Sequence, residues 1–582
     1  MATMAVEKPR AWRRWRSDPV AGALAALSFF GTGAVLVLLA IVLWLSFTEG
    51  TPGDAALAYT LDHYRAMFLD RFTYRVLGNT IVFAAMTLAV SFALALPMAW
   101  LMERTDFPGK PVVFTLMTVA LLIPSFAVSL GWVFLLHPKI GVVNQALMAL
   151  FSLDDAPFDV SNIASMGAIE GMNLTPLAFI MTAVALRAMD PALEEAAAIN
   201  GARPWQIVAR VTLRVLWPGL LAAAIYVAMV GFAAFDVPAI LGLTRRIFTF
   251  STYVFWVLTP SEGAPEYGNV ASLSVIMIAI AAGLSTAYRR AQRQAPKYAV
   301  VTGKAYRPRI ATLGKWRLVA IALVALYFIA AQLLPLLMLA WASLLPYLQT
   351  PSAAALHAIS LRNFDNLPRQ LIWRAGANTA LLMVLVPTLT LILSVAISWV
   401  VLRTKMRGRF LFDFLAFLPL AIPAIVFSVA ALLLALFVLR KVLPIYGTIW
   451  ILLIVYVVAR LSYGTRMTNS ALIQIHKELE ESAQICGAAT GGVLARVLIP
   501  LLAPSLAYAW IWIALLTYRE LTLPVVISTS SNLPFAYLVW GFVQASAYGS
   551  AAAAALIMLA LMVPVLLAYW LIARRAGMIA PR

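Results

Sequence analysis

The sequence predicts an all-α polytopic membrane protein, with about twelve transmembrane helices in two parallel six-helix repeats. Three observations predict it. Apolar stretches long enough for helical spans of roughly 20 residues recur along the chain. Charged residues make up only 12% of the 582 residues and the mean hydropathy is +0.91, whereas a globular domain carries about a quarter charged residues. The two halves of the chain also match each other at fixed offsets. The alternating segments of an outer-membrane barrel are absent.

The elements follow in order. The first residues, MATMAVEKPRAWRRWR, form a basic N-terminal segment over 1–19. The apolar run at about 20–47 is too long for a signal-peptide core and lacks a small-residue cleavage site, so it reads as a retained first span. Further runs at about 76–102, 112–136, 166–188, 216–243 and 269–288 complete a first repeat over 20–288. A linker at 289–317, rich in Lys and Arg and free of acidic residues, separates it from a second repeat over 318–573. Runs there fall at about 318–345, 376–402, 411–439, 447–469, 504–530 and 550–573, before a tail at 574–582. With the N-terminus inside, the linker, RTKMRGR (403–409) and the basic tail fall on the cytoplasmic side, and the connection 137–165, with Asp154, Asp155 and Asp159, falls outside. Both termini are then cytoplasmic. The formal charge of +19 therefore sits in short connections facing anionic lipid, and no folded basic surface suggests nucleic-acid binding. The single cysteine, Cys486, excludes an intrachain disulfide or a thiolate cluster and reads as inert packing.

The repeat has two registers. Asn79-Thr80 falls on Asn378-Thr379 (378 − 79 = 299), as do Arg104-Thr105 on Arg403-Thr404 and Ile123-Pro124 on Ile422-Pro423. Further on, Glu194-Glu195 falls on Glu480-Glu481 (480 − 194 = 286), with Gly201 on Gly487, Pro218 on Pro504 and Pro238 on Pro524. The first half therefore has 13 extra residues (299 − 286 = 13), placed in the acidic connection after His137. An even number of crossings per half makes the repeats parallel, related by an axis along the membrane normal, with a pathway between them.

Each half interrupts its apolar spans with one polar loop, at 190–218 and at 476–504. In the first, Asp190 suits an N-cap and Pro191 the first helical position, and Glu194 and Glu195 follow where negative charge suits the helix dipole. Gly201 offers a left-handed exit, and a return helix opens near Pro204 and runs toward Pro218. The second loop repeats the plan, with Gly487 at the corner and Thr490 as a cap. A lipid-surface helix explains one such loop. Two at equivalent positions suit docking into a partner's groove, with small Ala side chains allowing close approach and a glutamate pairing with a partner's Arg or Lys.

The loops resemble the EAA loop of permease subunits in bacterial ATP-binding-cassette importers. Glu195, Ala196, Ala197 and Gly201 match its first part, while Val211, Leu213 and Arg214 stand where the family has Ile, Leu and Pro. In the second loop Glu481, Ser482, Ala483 and Gly487 match with Ser for the first Ala, and Val497, Ile499 and Pro500 complete it. The resemblance covers nearly the whole chain and is nearest to the fused, ferric-iron branch, whose relatives also serve thiamine, polyamines and phosphonates. It implies a type I importer fold in the bacterial inner membrane, two copies of a cytoplasmic ATPase subunit holding ATP and Mg, and an external solute-binding protein. Arg214 in place of proline leaves the equivalence of the two loops open.

No phosphate-binding loop occurs: Gly109-Lys110 and Gly303-Lys304 lack its upstream glycine and downstream hydroxyl. The chain therefore reads as a transport subunit rather than an enzyme, with no cofactor of its own. Charges inside spans point to a transport path. Asp236, just before Pro238, and Arg519-Glu520, just before Pro524, lie where a proline would break the helix and free carbonyls. They read equally as an ion pair across the interface between the halves. Arg460 reads as the partner of a carboxylate. His63, His137, His357 and His476 are scattered and suggest no metal site. An ion-coupled secondary carrier using Asp236 or Glu520 is the alternative, but it would not need the paired loops.

Overall fold

The computed structural model describes residues 18–49, 58–139, 141–189, 192–260, 262–263, 265–294 and 311–575. The basic N-terminus up to residue 17, Asp190 and Pro191, linker residues 295–310 and the tail from 576 lie outside the described residues. Among those described, ten helices are long and apolar enough to span a membrane, and two bent helix pairs raise the number to as many as 12. A two-residue ladder, Thr48–Glu49 against Ala58–Tyr59, is the one sheet among the described residues.

Two runs expected as single spans are bent. Lys110–Leu122 meets Ser125–Leu136 at 92°, and the second-half pair starting at Arg409 and Ala424 meets at 106°. Both bends fall at the matched Ile-Pro dipeptides, where the residue before proline is driven out of the helical region: Ile123 and Ile422 have ψ of 132° and 131°. The runs 216–243 and 504–530 are likewise not single helices. The span Leu213–Ala233 stops, and the chain re-enters as Asp236–Gly242. A helical Pro238 would meet the carbonyl of Ala234 four residues back, and Ala234 is extended, with ψ 135°. In the second half Ile499–Tyr518 stops before Pro524–Ile527. Short apolar helices, Phe250–Leu258 and Phe535–Gln544, follow.

The Asn-Thr dipeptides that reveal the repeat hold these short helices in place. The Asn79 amide donates to the Phe248 carbonyl at 3.1 Å and the Phe250 amide donates to Thr80 at 2.8 Å. Asn378 and Thr379 do the same for Leu533 and Phe535, at 3.1 and 2.8 Å. The 13 extra residues correspond to a helix, Val142–Phe151, in the connection after His137.

The first span of each half packs on the other half. Pro19–Leu45 lies against the second-half helices Arg369–Arg403 and Arg409–Ala421, while Leu334–Ser343 lies against Ser125–Leu136. The second contact is tight: a Cβ on Gly131 would fall 2.1 Å from the Pro335 carbonyl oxygen. Small residues permit such close packing where lipid offers no competing hydrophobic drive. Exposed Phe29, Phe30, Leu323 and Leu326 give these spans their apolar outer face.

Gly131→Ala should force the interlocked helices apart at about 1–3 kcal/mol and lower the detergent melting temperature. Gly33→Ala, with nothing within 4 Å, should leave it unchanged. Thermal unfolding followed by size-exclusion chromatography compares the two.

Candidate functional site

The breaks in the four discontinuous helices meet at a cavity of about 230 Å³ lined by both halves. Asp236, at the start of its re-entrant helix, accepts from Ser125 at 2.5 Å and, across the interface, from Thr522 at 3.3 Å. Asp236 and Thr522 are equivalent positions (522 − 236 = 286), so the pseudo-two-fold axis passes between them. Glu520 pairs with Arg460, which also donates to the Leu516 carbonyl at 3.0 Å. Arg519 reaches into the first half and donates to the carbonyls of Leu121 and Ile123, freed by the bend before Pro124. The polar residues before Pro238 and Pro524 thus meet at the interface of the halves, and they also line the cavity.

Of the charged lining residues, sequence reading missed one. Glu170 is 6% exposed, and its Oε2 has no hydrogen-bond partner. Gly167 and Gly171 draw its helix, Ile163–Ala188, against Arg71–Arg104: a Cβ on either would lie within 3 Å of that neighbour. Glu170 is the only acidic residue in its apolar run, a signal available without a structure. Among the described residues, no three His, Cys, Asp or Glu side chains gather as a metal site.

The two polar loops share one backbone. Ala192–Ile199 is followed by Gly201 at φ 82°, by Pro204–Ile207, and by a π-helical stretch Val208–Thr212 running into the next span. Lys477–Ile485, Gly487 at φ 86°, Thr490–Val493 and Leu494–Leu498 repeat it. Arg214 and Pro500 occupy the same exposed place, so the missing proline leaves the backbone unchanged. Three expectations need correction. Pro218 and Pro504 lie inside continuous helices rather than ending them, as membrane spans tolerate. Thr490 is the first helical residue; Ala489 is the cap. The Thr490 hydroxyl instead faces Asp18, and with the Val20 and Ala21 amides it holds the Asp18 carboxyl below its usual range. Finally, Cys486 is exposed at the corner of the second loop, not packed.

Glu194 and Glu480 do not await a partner's cation. Arg104 pairs with Glu194 at 2.9 Å, and Arg403 with Glu480 at 2.5 Å. These are equivalent pairs, largely buried, at the end of equivalent spans. Arg104 also donates to the Leu186 carbonyl at 2.9 Å, and Arg403 to its counterpart Leu472 at 3.0 Å and to Ile475 at 2.8 Å. Each arginine therefore ties the loop to two spans at once. Thr212 adds a 2.6 Å bond to Glu194 in the first half. Glu481 is exposed and Glu195 half-buried.

The model of the family "Binding-protein-dependent transport system inner membrane component" matches residues 92–295 and 392–577, one match in each half. The chain belongs to this family. It is a permease subunit of an ATP-binding-cassette importer. The permease is 22% identical over 513 residues to the ferric transport system permease protein FbpB of Actinobacillus pleuropneumoniae, covering 86% of this chain and 71% of that one. A putative ferric transport system permease protein of Haemophilus influenzae is 24% identical over 458 residues, 75% of this permease and 67% of its own length. The trehalose transport system permease protein SugA of Mycobacterium tuberculosis is 28% identical over 200 residues, 33% of this permease and 63% of its own length.

Breaking one buried loop pair strands a charge, at about 3–5 kcal/mol. Arg403→Gln and Glu480→Gln should each lower the melting temperature of the permease, and Arg403→Lys should lower it less than Arg403→Gln. The double variant should fall short of the sum of the singles by about 0.5–3 kcal/mol, measured as a thermal-shift double-mutant cycle.

Proposed function

We propose that this permease forms the translocation path for a substrate handed over by an external binding protein, with transport driven by two cytoplasmic ATPase subunits, one docked on each loop. The observation that carries the reading is a repeated apolar surface. Leu193 and Ile199 are 43% and 84% exposed on the first loop helix, and their equivalents Leu479 and Ile485 are 49% and 87% exposed on the second. Exposed isoleucines at matched places on two helices, each at a fixed distance from a glycine corner, suit knobs for a partner's groove. ATP and Mg are held by the partner, and the closure of the two ATPase subunits moves the halves.

The loops, the described end of the linker at Ala311, and the starts of the first spans lie at one face: Ala311 bonds to Arg104 and Asp106. We place that face, and both termini, in the cytoplasm, because its connections carry the excess of Lys and Arg. The two repeats over 20–288 and 318–573 supply the two walls of the path. Ferric iron is the favoured cargo, because the ferric relatives match across both halves whereas the trehalose relative matches a third of the chain.

Co-expressed ATPase should copurify with the permease, and Ile199→Glu with Ile485→Glu should abolish copurification. Glu195→Ala with Glu481→Ala should uncouple ATP hydrolysis from uptake. The unique thiol of Cys486 gives a direct measure: maleimide labelling in membranes should slow about tenfold or more when the ATPase occupies the loop. Unchanged labelling together with full uptake by the permease alone under a proton gradient would refute the reading.

A further inference from the structure

We propose that Glu170 and Asp236 form a transit site for a positively charged cargo, so that this path serves small cations rather than neutral sugars or anions. The inference rests on the reading of the central cavity as the path.

The charges of the cavity divide unevenly. Its lining includes the carboxylates of Glu170, Asp236 and Glu520 and the guanidinium groups of Arg460 and Arg519. The arginines are engaged by the protein: Arg460 holds Glu520 and the Leu516 carbonyl, and Arg519 holds the carbonyls of Leu121 and Ile123. Glu520 is further occupied by the Leu523 amide at 3.2 Å. Among the described residues the two remaining carboxylates make no salt bridge, and they share the one guanidinium of Arg519 as their nearest opposing charge. Asp236 has only the hydroxyls of Ser125 and Thr522, and Glu170 Oε2 has nothing. The Asp236–Gly242 helix packs on the helix that carries Glu170, which places both on the first-half wall of the cavity.

A buried carboxylate without a donor is costly, and it persists where something else supplies the donor or the charge. A cation passing through does both. The pair is also suited to letting go. Among the described residues no third His, Cys, Asp or Glu gathers with these two carboxylates into a metal site, so they bind more weakly than a full chelating set, and a conducting site must release what it takes. Three carboxylates against two guanidinium groups line the cavity; Arg460 is matched by Glu520, and the single charge of Arg519 faces both Asp236 and Glu170, so an anion would meet a net negative surface.

The test uses the complete importer, with its ATPase and binding-protein subunits, in proteoliposomes. Four radiolabelled probes are offered: ferric ion, putrescine, trehalose and phosphate. One of the two cationic probes should be taken up, and Glu170→Gln and Asp236→Asn should each reduce its uptake at least about tenfold, as expected when a charge-assisted contact in a dry site is lost. Size-exclusion profiles of the complexes verify assembly, and Asp236→Glu, which keeps the charge, should retain more uptake than Asp236→Asn. Uptake of trehalose or phosphate, uptake of neither cation, or undiminished uptake by the Glu170→Gln and Asp236→Asn importers would overturn the inference. Failure of the ATPase to assemble with the parent permease would instead overturn the proposed function.

Discussion

A helix broken inside an apolar medium leaves main-chain carbonyls and amides that lipid cannot satisfy, so every break must be buried against protein or a polar cavity. The rest of this structure depends on that constraint. Four helices are broken, at Ile123-Pro124, Ile422-Pro423, before Pro238 and before Pro524, and all four breaks face one another. Arg519 answers the carbonyls freed at the first bend. Ser428 donates to the Leu523 carbonyl at 2.8 Å beside the last. The polar cavity is thus the place where the backbone needs of four breaks are met together, and the crossed first spans hold the two halves closely enough for this to work.

The frame is two-fold but its charge is not. At the 286 offset Glu170 corresponds to Tyr456, Leu174 to Arg460, and Ala233-Ala234 to Arg519-Glu520. The first half contributes two carboxylates that make no salt bridge among the described residues, and the second contributes both arginines with the carboxylate that occupies one of them. Duplication supplied the scaffold, and divergence at a few buried positions gave the cavity a chemical direction.

The loops divide labour along one short helix. Glu194 and Glu480 turn inward to Arg104 and Arg403, while Ile199 and Ile485 point away from the body of the protein. In the proposed coupling, a push on the apolar knobs is delivered through a buried, charge-assisted joint to the ends of two spans, which is stiffer than a loop tethered by main chain alone. Because each arginine also holds the carbonyls at the end of the preceding span, the joint cannot move without those spans.

Much of this was legible in the residues. Hydropathy and charge bias determined the helical membrane class, the number of apolar runs and the division into halves, because apolar length and flanking cations are read one segment at a time. Residue matching located the loops, their glycine corners and the paired prolines, because duplication leaves its register in the chain, and Asp236, Arg519 and Glu520 stood out as charges inside apolar runs. The tertiary structure alone decided that two runs are bent at their Ile-Pro dipeptides, that Glu170 faces the same cavity as Asp236, and that Glu194 and Glu480 are spent on arginines far away in sequence (194 − 104 = 90; 480 − 403 = 77). The physical reason is that a charge inside an apolar run announces only that it must find a partner. Which partner it finds depends on how helices distant in sequence cross, and that is set by packing rather than by any local pattern.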